Sequence, residues 1–319
     1  LMNTIVKTED EYEDLLGQWA DLESGLGVIL GYPGSAQEFE ARLYQYDRWM
    51  QDLIQRDADV ALYLLFQLAS HSPVGYSASH ALVCAVLCHL VAPEFGLPAR
   101  ERNSLVHAAL TMNISMTALQ DQLANQRDRP SLEQQIAIRA HASKSALMLA
   151  NMGIQDELWL ETIQLHHKED IPHVGLHTLT PPHRLAHVLH VVDRYAAMIS
   201  PRQSREGRSA ADSAKSITQG NSAQDNPVGQ ALVRMVGLCP PGTFVQLDDD
   251  QVAVVMRRSD RPNLPDVAIV LNKQGQQVKP PTLHRTAIGR PNVKGALPAS
   301  ALQERINHHL ILQLGMQAV

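Results

Sequence analysis

Phe39, Leu43, Tyr46, Met50 and Leu53 return at steps of four and three, the interval that lines residues along one face of an α-helix. That interval, repeated segment after segment, constrains the fold of this chain more than any other feature. A denser apolar run, VALYLLFQLA, follows within Asp57 to Ser70 and predicts a buried helix, and SASHALVCAVLCHLV (77–91) predicts another. No such helix can cover its own apolar face, so the segments must pack on one another. Local signals set the boundaries. Ser35 and Glu38 form a capping-box pattern ahead of Phe39, and Ser131 and Gln134 form a second one after Pro130,. SPVG (72–75) breaks the chain, and Gly153 stops the helix that Ser131 opens,. A helix begins near Arg102 and runs through AALTMNISM (108–116). Another spans QDELWLETIQLHH (155–167), and after a Pro-punctuated loop to Pro182 comes HRLAHVLHVVDRYAAMIS (183–200).

The pattern changes towards the C-terminus. Residues 201 to 227 turn to Ser, Ala, Gln, Gly and Arg with few apolar anchors, which reads as a loop or weak helix,. After Pro240-Pro241-Gly242, the runs TFVQL, QVAVVMRR and DVAIVLN are β-rich, with the three aspartates 248–250 supplying a turn,. Beyond Lys273 no element is assigned. The expected architecture is mainly α, with an N-terminal helical region (1–75), a central helical domain (76–238) and a C-terminal β-rich element (239–319).

Composition narrows the function. A net charge of −6 leaves no basic footprint for nucleic acid,. No stretch reaches the apolar length of a membrane span, and the acidic TEDEYEDLL does not resemble a signal peptide,. Three cysteines cannot form a disulfide framework, so a cytoplasmic setting is expected,. Fifteen histidines are the compositional oddity, many of them inside helical patterns. His80, His141, the pair His166-His167 and Asp193 each sit in a separate helical segment. Asp193 falls at the edge of the stripe Leu185, Leu189, Val192 and Ala196, where a carboxylate needs a partner,. His183, His187, His190 and Arg194 lie along the other side of that helix and read as a solvated face. Cys84 and Cys88, one and two turns after His80, read as small buried hydrophobes rather than metal ligands.

Taken in order, these residues resemble the HD-GYP family, a branch of the all-helical HD phosphohydrolases that hydrolyse cyclic di-GMP. His80 stands in SASHALV, AALTMNISM occupies the place of the family's HD motif, and His141 stands in IAIRAHASKSALML. His166-His167 stand in IQLHHKED, Arg184 and Asp193 in HRLAHVLHVVDRYAAM, and CPPGTFVQL opens the tail. The resemblance covers roughly residues 76 to 260 and implies an HD-domain helical bundle. The departures are equally specific. Met112-Asn113 replaces the HD pair, Ser115-Met116 replaces Gly-Lys, Lys168 replaces the Glu of HHE, and no GYP loop follows. Gly31-Tyr32-Pro33 lies upstream of the first helical His and reads as coincidence, and of the family's RPYR only RQSR (202–205) remains.

The resemblance implies a first metal held by the positions of His80, Asp193 and the lost pair, and a second held by His141, His166 and His167. The lost Asp would bridge the two, and neutral Asn113 cannot offset the repulsion between adjacent dications. Met112 and Met116 instead join Leu105, Ala109 and Leu119 at core spacing. One transition-metal ion (Fe, Mn, Zn or Ni) on His141, His166 and His167 is therefore the expected cofactor, with His80 and Asp193 as further candidates. Arg202, Arg205 and Arg208 are candidate phosphate ligands. The implied function is a degenerate HD-GYP-like signalling protein that binds cyclic di-GMP, a related nucleotide or a protein partner with little or no turnover. Two alternatives stand beside it: a residual single-metal phosphohydrolase, and a structural or homodimerisation module.

Overall fold

A computed structural model describes residues 8–35, 37–71, 75–168, 175–199, 226–261, 263–298, 302 and 306–317. It is mainly α, with a small C-terminal sheet, as the change of sequence period predicts. Three helices come first: α1 (Glu9–Gly31), α2 (Phe39–Arg56) and α3 (Ala58–His71). α1 opens on a capping box in which Thr8 Oγ1 accepts from Glu11 N and the Glu11 carboxylate accepts from Thr8 N,. The box expected at Ser35–Glu38 does not open α2. Glu38 is itself the N-cap, in a left-handed conformation (φ 53°), and makes no side-chain cap bond. Burial of Phe39, Leu43, Met50 and Leu53 holds α2 without that help.

The central layer is α4 (Tyr76–Val91), α5 (Ala99–Thr111), α6 (Thr117–Asn125), α7 (Leu132–Asn151), α8 (Glu157–Leu165) and α9 (Pro181–Ile199), followed by α10 (Pro227–Val236). From Ser77 to Cys88 every residue of α4 is buried. A helix apolar around its whole circumference must be enclosed, and α4 packs on α1, α2, α3, α5, α6, α9 and α10. α7 begins with the predicted Ser131–Gln134 capping box, and the chain leaves it through Gly153 at φ +96°, where glycine avoids the Cβ penalty,. AALTMNISM is not one helix. α5 ends at Thr111, and Ile114–Met116 form a 3-10 turn. Met112 is buried as expected, but Met116 and Leu119 are only half-buried, so the core stripe is interrupted by the turn.

Five strands close the fold: β1 (Phe244–Leu247), β2 (Val252–Arg257), β3 (Asp266–Leu271), β4 (Gln277–Arg285) and β5 (Val293–Leu297), in the antiparallel order β4-β3-β2-β1-β5. The three aspartates do make the β1–β2 turn, with Asp250 at φ 71°. Past Lys273, the structure adds β4, β5 and α11 (His308–Gln317). The sheet is fastened to the N-terminal helices by charge. Arg257 grips Asp57 with Nη2 to Oδ2 at 2.6 Å and Nη1 to Oδ1 at 3.3 Å, and Arg258 Nε reaches Asp59 Oδ1 at 2.7 Å. Gly242 lies so close to α3 that a Cβ would sit 3.0 Å from the Tyr63 carbonyl, which explains the glycine after the two prolines. One hydrophobic core runs from Tyr12 through α4 to Leu312, and a smaller cluster lies on the other face of the sheet.

Candidate metal centre

Helix ends and helix faces bring three histidines together. Asp156 caps α8, its Oδ1 accepting from Trp159 N at 3.2 Å and its Oδ2 from Ser104 Oγ at 2.6 Å. α8 then runs nine residues and ends with His166 as its C-cap. That termination turns His166 and His167 towards the middle of α7, where His141 is buried among Ala142, Ser145 and Ala146. Small side chains on this face let the 3-10 turn approach. Ser115 N donates to Ser145 Oγ (3.2 Å), and Ser115 Oγ donates to the His141 carbonyl (3.1 Å). Ser115 thus ties the Met112–Met116 segment to the histidine helix. Ring centroids lie 3.9 Å apart for His166 and His167, 4.9 Å for His141 and His167, and 5.4 Å for His141 and His166.

Hydrogen bonding fixes the tautomers. A carbonyl oxygen can only accept, so His141 Nδ1 donates to Ile138 O and His166 Nδ1 donates to Ile163 O, each at 2.5 Å. The remaining nitrogens are the two Nε2 atoms, and both are buried without a hydrogen-bond partner among the described residues. Burial, and then the neighbouring His167, push the His166 pKa down to about 3, while burial lowers that of His167 to about 4. Neutral imidazoles whose Nδ1–H groups bond backbone carbonyls are the arrangement that metal-binding histidines adopt. The donor atoms of His141, His166 and His167 lie within 4.8 Å of one another. The residues present therefore fit a metal ion, and an orphaned buried acceptor is costly otherwise.

His80 and Asp193 are brought together too, but their situation is the opposite. His80 Nε2 donates to Asp193 Oδ1 at 2.7 Å, and its Nδ1 meets the Tyr76 hydroxyl at 3.3 Å beneath a stacked ring. Both ring nitrogens are used. Burial opposes ionisation of Asp193, but the His80 hydrogen bond and the nearby imidazoles outweigh it and hold the carboxyl well below its ordinary pKa. Cys84 joins this group, its Sγ 3.5 Å from His80 Nε2. Cys88 does not, and burial pushes both thiols above their usual range.

The remaining sequence candidates divide. Asn113 is half-buried and lines a small cavity with Ser77, Ala109 and Gln120. Lys168 is exposed. Arg184 fastens the loop before α9, donating to Glu101 Oε1 at 2.7 Å and to Leu179 O at 3.0 Å. Arg202, Arg205 and Arg208 lie outside the described residues. His190, expected on a solvated face, is corrected. It is half-buried, and its ring centre is 5.9 Å from that of His167, because α9 turns this side towards the end of α8. Sequence reasoning missed a second buried group altogether, Asp47 with His89 and His107. The signal was present: Asp47 follows Leu43 by four and precedes Met50 by three, on the apolar face of α2.

The fold and site define a helical protein with a trihistidine cluster, in which His141 and His166 are buried and His167 is exposed, and a separate His–Asp pair. Comparison with known proteins adds one similarity. Over 189 residues, 58% of this chain, the sequence is 28% identical to the cyclic di-GMP phosphodiesterase PA4108 of Pseudomonas aeruginosa. The matched part is 45% of that relative, so the chain spans less than half its length. No family model and no solved structure matches the chain. Among the described residues, no helix is long and apolar enough to cross a membrane.

Proposed function

We propose that this chain is an HD-GYP-like cyclic di-GMP signalling protein that holds one transition metal and binds its nucleotide with little or no hydrolysis. The observation that carries the reading is the contrast between the two histidine groups. His141 and His166 present buried Nε2 atoms that no described residue bonds, whereas His80 is satisfied at both nitrogens by Asp193 and Tyr76. A metal on the trihistidine cluster would bond those lone pairs and act as a Lewis acid towards a phosphoryl oxygen. A metal at the His80 group would have to displace a 2.7 Å hydrogen bond first. The similarity to a cyclic di-GMP phosphodiesterase supports the ligand class. Met112 and Asn113, in place of a ligand pair, support the loss of turnover, since two-metal chemistry needs both ions held a few Å apart. Arg202, Arg205 and Arg208 are proposed to contact the phosphates, and a protein partner is the proposed receiver of the signal.

The test combines metal analysis with turnover. Protein purified without chelator should contain one equivalent of transition metal and bind cyclic di-GMP in a calorimetric titration. It should release no linear dinucleotide when Mn²⁺ or Fe²⁺ is supplied. Two metals per chain, or turnover equal to that of an intact phosphodiesterase, would sink the reading. Turnover with a single bound metal would favour the residual phosphohydrolase instead.

A further inference from the structure

α7 is apolar on two opposite faces, and only one of them is covered. Its inner face carries His141, Ala142, Ser145, Ala146 and Leu149, all buried where α7 packs on α8 and the 3-10 turn. A helix at the edge of a bundle ordinarily turns charged and polar residues outwards. Here Leu132 is 71% exposed, Ile136 58% and Leu147 62%. With Ala140 and Ser143 between them, they recur at steps of four and three and form one stripe on the side away from His141,. Three of the seven large hydrophobic side chains exposed among the described residues thus stand in line on one helix. Contiguous exposed apolar surface of this kind marks a contact with another molecule.

The charges beside the stripe say what covers it. Glu133 lies towards the N-terminal end of α7 and Lys144 towards the C-terminal end, both exposed and neither paired with a described residue. Eleven residues separate them, about three helical turns, so they flank the stripe on the same side. Against a parallel second copy of α7, each would meet its own charge. An antiparallel copy, related by a twofold axis near Ala140, reverses that. Leu132 then meets the partner's Leu147, Ile136 meets the partner's Ser143, and Glu133 comes within a turn of the partner's Lys144. The twofold repeats each contact, so the surface is complementary to itself. Arg139 falls near the axis on the other flank, where its length carries the guanidinium out to water.

We propose that α7 is a homodimer contact, in which two copies of this chain pair antiparallel through Leu132, Ile136 and Leu147. Glu133 and Lys144 set the orientation and register. The contact does not depend on the role proposed for the histidine cluster, and it leaves His141, on the opposite face of α7, untouched.

Sedimentation equilibrium of the full chain over about 1–100 μM tests this, the range suited to a contact smaller than a standard interface. Wild type should pass from monomer to dimer within it. Ile136→Asp/Leu147→Asp should weaken the dimer at least about tenfold, because each copy would bury two carboxylates in the stripe. Glu133→Lys and Lys144→Glu should each weaken it about threefold, and the two together should restore it to within about twofold of wild type. All four positions are exposed, so the core is left intact, and urea unfolding of each variant checks that. A chain that stays monomeric throughout overturns the proposal. So does an Ile136→Asp/Leu147→Asp variant that dimerises like wild type, which would place the contact elsewhere. Failure of the doubly charge-reversed variant to recover would overturn the antiparallel pairing.

Discussion

Replacing Asp47 with Ala should be among the most destabilising single changes in this protein. The carboxylate is 3% exposed and is the acceptor for two imidazole N–H groups, His89 at 2.7 Å and His107 at 3.1 Å. Alanine leaves both donors without a partner, and each orphaned buried donor costs about 1–3 kcal/mol. The range for breaking a buried charged pair is about 3–5 kcal/mol. Water can enter from the neighbouring cleft and solvate the His107 side, so a loss of about 3 kcal/mol is expected. Asp47→Asn keeps the volume and one acceptor and should lose about half as much. Urea unfolding at pH 7 measures both. The His89 and His107 partners hold the Asp47 pKa well below normal despite burial, which alone would raise it. A depressed carboxylate contributes its full stability above its unfolded value of about 4 and loses it as pH falls below that. The gap between wild type and Asp47→Ala should therefore narrow as the pH drops from about 4 towards 2. A gap under about 1 kcal/mol at pH 7, or one that widens on acidification, would refute the network as described.

Three further outcomes are expected. His141→Ala should lower metal content from one equivalent to below about a tenth, because removing one of three protein ligands costs most of the affinity; retention of a full equivalent would place the metal elsewhere. His166 is neutral in the folded state down to about pH 3 but titrates near 6.5 when unfolded,. The unfolded chain thus binds the extra proton between those values, so metal-free protein should lose stability on acidification below about pH 6.5, and less steeply in His166→Gln. Arg257→Ala removes a two-point grip on Asp57 and the bond from Nε to Gly315 O at 2.8 Å. It should cost about 2–3 kcal/mol and speed proteolysis between the helices and the sheet, by limited trypsin digestion against wild type.

The local grammar of this chain was legible in its sequence. Period, caps and breakers are properties of neighbouring residues, so the α7 capping box, the Gly153 stop, the buried α4 and the switch to strands at Pro240 were all readable. The order of His80, His141, His166, His167 and Asp193 along the chain was readable too. Where local signals conflict with packing, packing decided. Glu38 caps α2 in place of the expected box, and the supposed Met112–Met116 helix is a helix end and a 3-10 turn tied to α7 by Ser115. Beyond Lys273 the alternation is weak because no residue of the edge strands β4 and β5 is fully buried, and the strands gain their place from the partner strands they bond. Pairing across the chain was beyond the sequence. His141 and His166 left with bare Nε2 atoms, His80 satisfied by Asp193 at a separation of 113 residues, and Asp47 shared by His89 and His107 are decided by which helix faces meet. A side chain's chemistry is written in its residue type. Whether it is free to bind a metal or already spent on a hydrogen bond depends on distances that only the folded chain sets.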